Sequence, residues 1–241
     1  ERLTTAGFIG AGRPGFPPEG VPLENNVWLL GNDSEVLVID AAHDAQAIVQ
    51  GVGEREPLGI LLTHGHEDHV NAAVEAARAL DTHVYLHPAD LFLWEQTHGD
   101  TPPDFELTDG ASFLVAGIEL AVAHTPGHTP GSVCVLAPGI NTVFTGDTLF
   151  QGGPGATRWE YSSFPQIVDS IRTRLFTLPS DMSARPGHGD STTIEAEAPA
   201  LEAWLALFGD RYYLELQRTG RAGDEECIAG CLPLAVAQGV P

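Results

Sequence analysis

The segment THGHEDH, residues Thr63 to His69, constrains this sequence more than any other, because it holds three imidazoles and two carboxylates within seven residues. Side chains of these types at this spacing have few uses other than holding metal ions. Three later segments add candidate ligands: His128 in TPGHTPGS, Asp147 in TGDTLF and His188 in RPGHGD. Seven candidate ligands in four segments predict a site for two metal ions, and hydrolysis is the commonest chemistry of such sites.

Taken together and in this order, HxHxDH, TPGHTPGS, GDTLF and PGHG resemble the metallo-β-lactamase superfamily and, within it, the glyoxalase II-like (hydroxyacylglutathione hydrolase-like) hydrolases. The likeness runs from about Asn25 to about Thr193. It implies an α/β fold, an αββα sandwich with the metals at the edge between the two sheets. It also implies a ligand assignment, in which the first ion is held by His64, His66 and His128, the second by Asp68, His69 and His188, and Asp147 bridges the two.

Two divalent metal ions are therefore the expected cofactors. Imidazole and carboxylate donors suit zinc, our first expectation, and they suit iron or manganese as well. In the mechanism that the resemblance implies, a hydroxide bridging the two ions attacks a carbonyl that one of them polarises. Asp68 and Asp147 are the predicted catalytic residues, Asp147 as the bridge and Asp68 as the group that orients the nucleophile or shuttles a proton.

The residue at the bridging position separates the branches of the superfamily. True metallo-β-lactamases carry Cys or Ser where this chain has Asp147, so the resemblance favours glyoxalase II-like hydrolases or lactonases. The predicted function is the metal-dependent hydrolysis of a small acyl thioester. Three alternatives stay open: a lactonase or ester hydrolase with the same two ions, a persulfide dioxygenase with a single iron, and a metal-binding protein without catalysis.

Residues around the predicted ligands have expected roles as well. Asp40 matches the family's first motif aspartate, which supports the metal cluster by hydrogen bonding. Arg158 is expected to pair with a substrate carboxylate and Tyr161 to donate a hydrogen bond to the substrate. Three ring side chains are expected to line or cover the pocket: Trp94, His98 and Phe105. Five histidines are expected to bind no metal: His43, His83, His87, His98 and His124.

Short apolar runs alternate with helical patterns, which indicates an α/β domain. Strands are predicted at 27–30, 35–39, 60–62, 84–86, 118–123, 132–136 and 142–145. Helices are predicted at 44–52, 68–80, 88–97, 164–178 and 194–208, with loops at 100–105 and at 151–155, the second bordering the site. The hydrolase domain is predicted to span 1–208. The tail 209–241, of unclear role, is too short for the helical substrate domain of larger glyoxalase II enzymes, which weakens the case for glutathione.

The composition argues against nucleic acid and membranes as partners, which leaves a small-molecule substrate as the expected partner. The formal net charge is −22 and every basic residue is arginine, so an acidic surface opposes nucleic-acid binding. No apolar run is long enough for a membrane span, and no signal-peptide pattern opens the sequence, so a cytoplasmic location is expected. A homo-oligomer is left open. Cys134 is predicted to be a buried free thiol, and Cys227 and Cys231 are predicted to be unpaired thiols.

Overall fold

The computed structural model describes residues 1–12 and 17–206. The predicted tail at 209–241, the domain boundary at 208 and both Cys227 and Cys231 lie outside the described residues. Within the described residues, the strands β1 to β14 run, in order, over Arg2–Ile9, Val21–Gly31, Glu35–Ile39, Glu56–Leu61, Val84–Leu86, Phe105–Glu106, Ser112–Val115, Ile118–His124, Val133–Ala137, Thr142–Gly146, Leu149–Phe150, Gly153–Pro154, Ser183–Pro186 and Thr192–Thr193. The α-helices α1 to α6 run over Ala45–Val52, Glu67–Val70, Ala73–Leu80, Leu91–His98, Phe164–Ser170 and Ile194–Glu197.

Two six-stranded sheets form the middle of the molecule. Sheet 1 has the strand order β1-β2-β3-β4-β5-β6, and sheet 2 has the order β14-β13-β10-β9-β8-β7. Strands β3, β4, β5 and β6 pair in parallel, and so do β10 and β13. The carboxyl ends of parallel neighbours meet at one edge of their sheet, and this geometry later places the site.

Strand β3 shows how the two sheets and the helices are layered. Val36 and Val38 point into one core cluster together with residues of α1, α3 and α4. Leu37 and Ile39 point into a second cluster, which contains Val122, Val135 and other residues of sheet 2. A third cluster lies between the far face of sheet 2 and α5. Because side chains alternate along a strand, these three cores make an αββα sandwich, which confirms the predicted fold class.

Three of the six α-helices of the described residues, α1, α5 and α6, begin at a side-chain cap. The carboxylate of Asp44 accepts the Ala47 N–H at 2.9 Å and starts α1, which confirms the helix predicted at 44–52. Ser163 caps α5 in the same way, accepting from Gln166 at 3.4 Å. The helix predicted at 164–178 changes after Ser170 to a π-helical turn over Ile171–Leu175.

The single helix predicted at 68–80 is wrong, since the structure has two helices there, α2 and α3. The break lies at Asn71 and Ala72. The Asn71 side chain contacts His43, and the Ala72 N–H donates to the Ala41 carbonyl at 3.0 Å. These bonds to the loop after β3 compete with continuation of the helix.

Several strands were not predicted, among them β1, β7 and β13. Strand β1 pairs with β2 along its whole length, from Arg2 opposite Trp28 to Ile9 opposite Val21. Within residues 1–12 and 17–206, no helix is both long enough and apolar enough to cross a lipid bilayer.

Candidate metal centre

The predicted ligands lie in four segments that follow strands at one edge of the sandwich, and two of them, Asp68 and His69, are in α2. Residues 62–69 follow β4 of sheet 1, and three loops of sheet 2 follow β8, β10 and β13. The two sheets are bonded to each other at this edge. The N–H of Asn26 donates to the Gly187 carbonyl at 2.7 Å, and the indole N–H of Trp28 donates to the Pro186 carbonyl at 3.0 Å.

All seven predicted ligands converge there. Their donor atoms form three overlapping groups, each within 4.8 Å: His64, His66 and His128; His64, His69 and Asp147; Asp68, His69 and His188. We call the first group set A and the last group set B. None of the five other histidines belongs to a donor group found in the described residues.

In set A three ring nitrogens face one another. His66 Nδ1 lies 3.0 Å from His64 Nε2 and 2.9 Å from His128 Nε2. In set B the Asp68 Oδ2 lies 3.1 Å from His188 Nε2 and 3.4 Å from His69 Nε2. Set A presents three imidazole donors, and set B presents two imidazoles and one carboxylate. Both combinations are ligand chemistry of zinc or iron.

Asp147 lies between the two sets. Its Oδ1 is 3.3 Å from His69 Nε2, and its Oδ2 is 3.5 Å from His128 Nε2 and 3.6 Å from His188 Nε2. The Oδ1 atom is buried and makes no hydrogen bond within the described residues. A buried carboxylate oxygen without a hydrogen-bond donor is costly, and a shared cation would compensate it. The donor set therefore fits two metal ions.

Backbone and side-chain contacts orient the imidazoles. The Nδ1–H of His128 donates to the Ala156 carbonyl at 2.7 Å, and the Nδ1–H of His188 donates to the Glu24 carbonyl at 2.7 Å. A proton on Nδ1 leaves the Nε2 lone pair of each ring free, and in both rings Nε2 faces the site.

Asp40 holds the start of the motif. Its Oδ1 accepts the Thr63 N–H at 2.8 Å, and its Oδ2 accepts the Thr63 hydroxyl at 2.9 Å. The same Oδ2 lies 2.9 Å from His69 Nδ1. The structure thus brings Asp40 into contact with a predicted ligand, as its expected supporting role requires.

The charges of the site are strongly coupled. Burial and the neighbouring rings lower the pKa of His64 and His66 well below the usual value, so both rings are neutral. Burial opposes ionisation of Asp147, but His188 and His69 outweigh it and hold the pKa of that carboxyl below its usual range. Burial also opposes protonation of His69, yet the pKa of this ring is raised because Asp147, Asp68 and Asp40 surround it.

His66 is oriented the opposite way to the other rings. Its Nδ1 faces set A, while its Nε2 lies 2.8 Å from the Tyr161 hydroxyl. The Trp159 ring packs on His66 with centroids 4.4 Å apart and lies parallel to Tyr161. The guanidinium carbon of Arg158 lies over the Trp159 ring, 4.9 Å from its centroid. Arg158, Trp159 and Tyr161 therefore border set A, and we call them the aromatic shelf.

The prediction that Trp94 contacts the substrate is wrong. Its indole is 0% exposed and packs in the core between sheet 1 and the helices. Its N–H donates to the Thr101 carbonyl at 2.7 Å. Burial of a ring this large stabilises the fold more than exposure in a pocket would.

The other two rings expected at the pocket are also engaged elsewhere. The His98 ring contacts Trp94 in a tilted arrangement with centroids 4.0 Å apart, and it donates to the Val70 carbonyl at 2.9 Å. Phe105 stacks on Tyr85 at 5.2 Å, along the edge of sheet 1.

The sequence analysis did not predict a role for two buried polar residues at the site, because no motif marks either of them. Asn25 Nδ2 lies 3.1 Å from Asp68 Oδ2 in set B. Asp90 accepts the N–H groups of Gly65 at 2.8 Å and Gly131 at 2.6 Å, which ties the two ligand loops together. Burial raises the pKa of Asp90, although these donors oppose the rise.

The loop predicted at 151–155 is partly a short hairpin of β11 and β12, and it does border the site. A Cβ at Gly155 would lie 1.9 Å from the Asp147 carbonyl oxygen and 3.3 Å from His128 Nδ1. Only glycine allows these two backbone segments to approach so closely.

Comparisons with known proteins agree with this architecture. Residues 20–191 match the family described as the metallo-β-lactamase superfamily. The hydroxyacylglutathione hydrolase GloC of Haemophilus influenzae is 33% identical over 190 residues, which cover 72% of this chain and 90% of GloC.

Solved structures show the same likeness. The BLEG-1 B3 metallo-β-lactamase is 29% identical with a TM-score of 0.67, covering 81% of this chain and 97% of its own. TTHA1623, solved in a di-iron-bound form, is 35% identical with a TM-score of 0.63, covering 74% and 94%. The chain therefore belongs to the metallo-β-lactamase superfamily.

Proposed function

We propose that this protein is a metal-dependent hydrolase that cleaves small acyl thioesters at a centre of two metal ions. Members of its superfamily are generally metallo-hydrolases, and GloC, at 33% identity, is named for the hydrolysis of a glutathione thioester. Zinc is the preferred metal, and iron is the alternative that the di-iron form of TTHA1623 supports.

One observation carries the proposal. The Asp147 carboxylate has oxygens within 3.6 Å of rings from both donor sets, and its buried Oδ1 has no hydrogen-bond partner among the described residues. His64, His66 and His128 would hold one ion and Asp68, His69 and His188 the other, with Asp147 between them. Two divalent ions, when bound, supply a water of lowered pKa and the positive charge that polarises a carbonyl.

Asp68 is the residue we assign to proton handling. Neighbouring His69 and His188 outweigh the opposing effect of burial and hold the pKa of Asp68 well below its usual value, so it is ionised at neutral pH. An ionised carboxylate at the site can accept a hydrogen bond from water and orient it. The leaving thiolate needs little protonation, so cleavage of a thioester, unlike that of an amide, requires no dedicated general acid.

The aromatic shelf gives the substrate its predicted contacts. If His66 binds an ion through Nδ1, its proton is on Nε2 and is donated to the Tyr161 oxygen 2.8 Å away. The hydroxyl hydrogen of Tyr161 is then free to bond the substrate. Burial raises the pKa of Tyr161, so the hydroxyl keeps that hydrogen at neutral pH. Arg158 would pair with a substrate carboxylate beside the Trp159 ring.

The first experiment measures release of free thiol from a panel of acyl thioesters. The panel includes lactoyl conjugates of glutathione and of other small thiols, and the metal content of the protein is measured beforehand. We expect turnover that disappears with a chelator and returns with zinc or iron. No turnover from protein that holds two ions per chain would contradict the proposal.

The same preparation separates the alternatives. Hydrolysis of lactones without thioester turnover would assign a lactonase. Oxygen uptake with persulfides at one iron per chain would assign a dioxygenase, and hydrolysis of a chromogenic β-lactam would assign a lactamase.

A variant pair tests the bridging carboxylate. Asp147→Asn should lower kcat/KM at least about 100-fold, since even residues that only orient a ligand cost about 10- to 100-fold. Asp169→Asn changes an aspartate on the surface of α5 and should leave kcat/KM unchanged. Full activity of Asp147→Asn would refute the bridging assignment.

A further inference from the structure

A chain of hydrogen bonds, which we call the relay, runs from Asn71 through His43 and Asn25 to Asp68 of set B. One backbone group determines which atom donates at each step. The backbone N–H of His43 donates to the Asn71 Oδ1 at 2.6 Å. A backbone N–H can only donate, so this contact fixes the Asn71 amide with its oxygen toward the backbone. The Asn71 Nδ2 is then the atom 3.2 Å from the His43 Nδ1.

The tautomer of His43 follows. An amide NH2 group only donates, so the His43 Nδ1 must accept and the ring proton is on Nε2. That Nε2 lies 2.8 Å from the Asn25 Oδ1 and donates to it. Burial lowers the pKa of His43, which agrees with a neutral ring.

The orientation of Asn25 is then determined as well. Its oxygen accepts from His43, so its Nδ2 is the atom that faces set B. This Nδ2 lies 3.1 Å from Asp68 Oδ2, 3.3 Å from His69 Nε2 and 3.4 Å from His188 Nε2. Asn25 is 0% exposed, so water does not replace these contacts.

The ring in the middle of this chain is held rigidly. His43 has a φ of +60°, a left-handed conformation that is uncommon for residues other than glycine. Strand β1 packs directly on the ring, where a Cβ at Gly7 would come within 2.4 Å of His43 Nδ1. A fixed ring gives Asn25 a fixed partner.

We propose that Asn25, held by His43 and Asn71, is a positioning residue that donates a hydrogen bond to Asp68 and thereby sets the affinity of set B for its ion. The donor fixes the rotation of the Asp68 carboxylate, which keeps Oδ2 directed at His69 and His188. Set A has no contact with this relay in the described residues, so its ion is bound independently of it. The inference depends on the proposed metal centre and not on the thioester as substrate.

The test measures ion binding directly. Metal-free full-length protein is titrated with zinc against a chromophoric chelator, which resolves the affinities of the two sites. In Asn25→Leu we expect the affinity of set B to fall about 10- to 100-fold while the affinity of set A stays within twofold.

Variants of His43 separate hydrogen bonding from packing. His43→Phe keeps a planar ring without a donor and should weaken set B, whereas His43→Gln retains a donor for Asn25 and should restore most of the affinity. His98→Phe replaces a half-buried histidine outside the relay and should bind both ions as the wild type does. Thermal melts confirm that each variant is folded before titration.

Two results would overturn the inference. One is an Asn25→Leu protein that binds both ions with wild-type affinity. The other is a pair of His43 variants, Phe and Gln, that bind the set B ion equally. Loss of the set B ion in a protein that hydrolyses no thioester would leave this inference standing and refute the proposed substrate alone.

Discussion

A methyl group added at Gly187 would enter the metal centre. A Cβ at this position would lie 2.4 Å from His69 Cε1 and 2.6 Å from Asp147 Oδ1. The glycine is held from two sides, since its N–H donates to the Gly146 carbonyl at 2.9 Å and its carbonyl accepts from Asn26 at 2.7 Å. His69 cannot retreat freely either, because it is fully buried and its Nδ1 lies 2.9 Å from Asp40.

The size of the effect follows from these distances. Ordinary contact begins near 3.4 Å, so the ring or the glycine must move by about 1 Å in Gly187→Ala. Overpacking of this kind costs about 1–3 kcal/mol, which corresponds to a Tm lower by roughly 2–12 °C for a domain of this size. A misplacement of about 1 Å in a catalytic centre costs about 100-fold in rate.

The assay compares Gly187→Ala with Gly139→Ala. A Cβ at Gly139 would meet only the end of the Ile118 side chain, at 3.3 Å, and neither glycine has a positive φ. We expect Gly187→Ala to show a lower Tm, weaker zinc binding in the chelator competition and a lower rate, while Gly139→Ala matches the wild type. If Gly187→Ala kept its Tm and bound both ions normally, the close packing of this loop against the donors would be refuted.

Three further predictions concern titratable groups. Burial raises the pKa of the Cys134 thiol to about 11, so iodoacetamide at pH 8 should alkylate Cys134 only after unfolding. Peptide mass spectrometry of native and denatured protein measures the alkylation. Rapid labelling of the native protein would contradict the prediction. Burial and the stacked His124 ring lower the pKa of His87 to about 4. The unfolded ring gains a proton below about pH 6.5 while the native ring does not, so stability should fall from pH 6.5 toward 4. Urea melts at pH 7 and 5 should show a loss about 1 kcal/mol smaller in His87→Gln, a value discounted for solvent exposure. The pKa values of His69 and His188 are raised, so metal ions must displace protons from these rings, and zinc affinity should weaken from pH 8 to pH 6. Calorimetry in buffers of different ionisation enthalpy should detect the released protons. An affinity independent of pH would count against these two rings as ligands.

Apolar patterns along the sequence predicted an α/β domain, and the resemblance carried by the four motifs implied the αββα sandwich and the grouping of the seven candidate ligands. A continuous apolar run, as in Val36 to Ile39, is typical of a strand buried on both faces. Imidazole and carboxylate spacing within Thr63–His69 marks the motif without any knowledge of contacts. The buried free thiol of Cys134 followed from its apolar neighbours and is confirmed.

What the sequence could not predict depends on contacts between distant segments. The helix break at Asn71 arises because the side chain bonds to His43, 28 residues away. Asn25 faces Asp68 only after β2 and α2 pack together, and an asparagine in a strand carries no sign of that role. Trp94 was misplaced because an indole suits a pocket and a core equally well, and only the packing of α4 on sheet 1 decides between them.

The division of the donors between the two sheets has a consequence for folding kinetics. Thr63–His69 follows a strand of sheet 1, whereas His128, Asp147 and His188 follow strands of sheet 2, so the complete centre exists only after the sheets have docked. Ions would then bind chiefly after the main folding barrier has been crossed. Bound ions should therefore slow unfolding and hardly change the folding rate. Loss of the metal would then shorten the lifetime of the native protein while the folding rate stays almost the same.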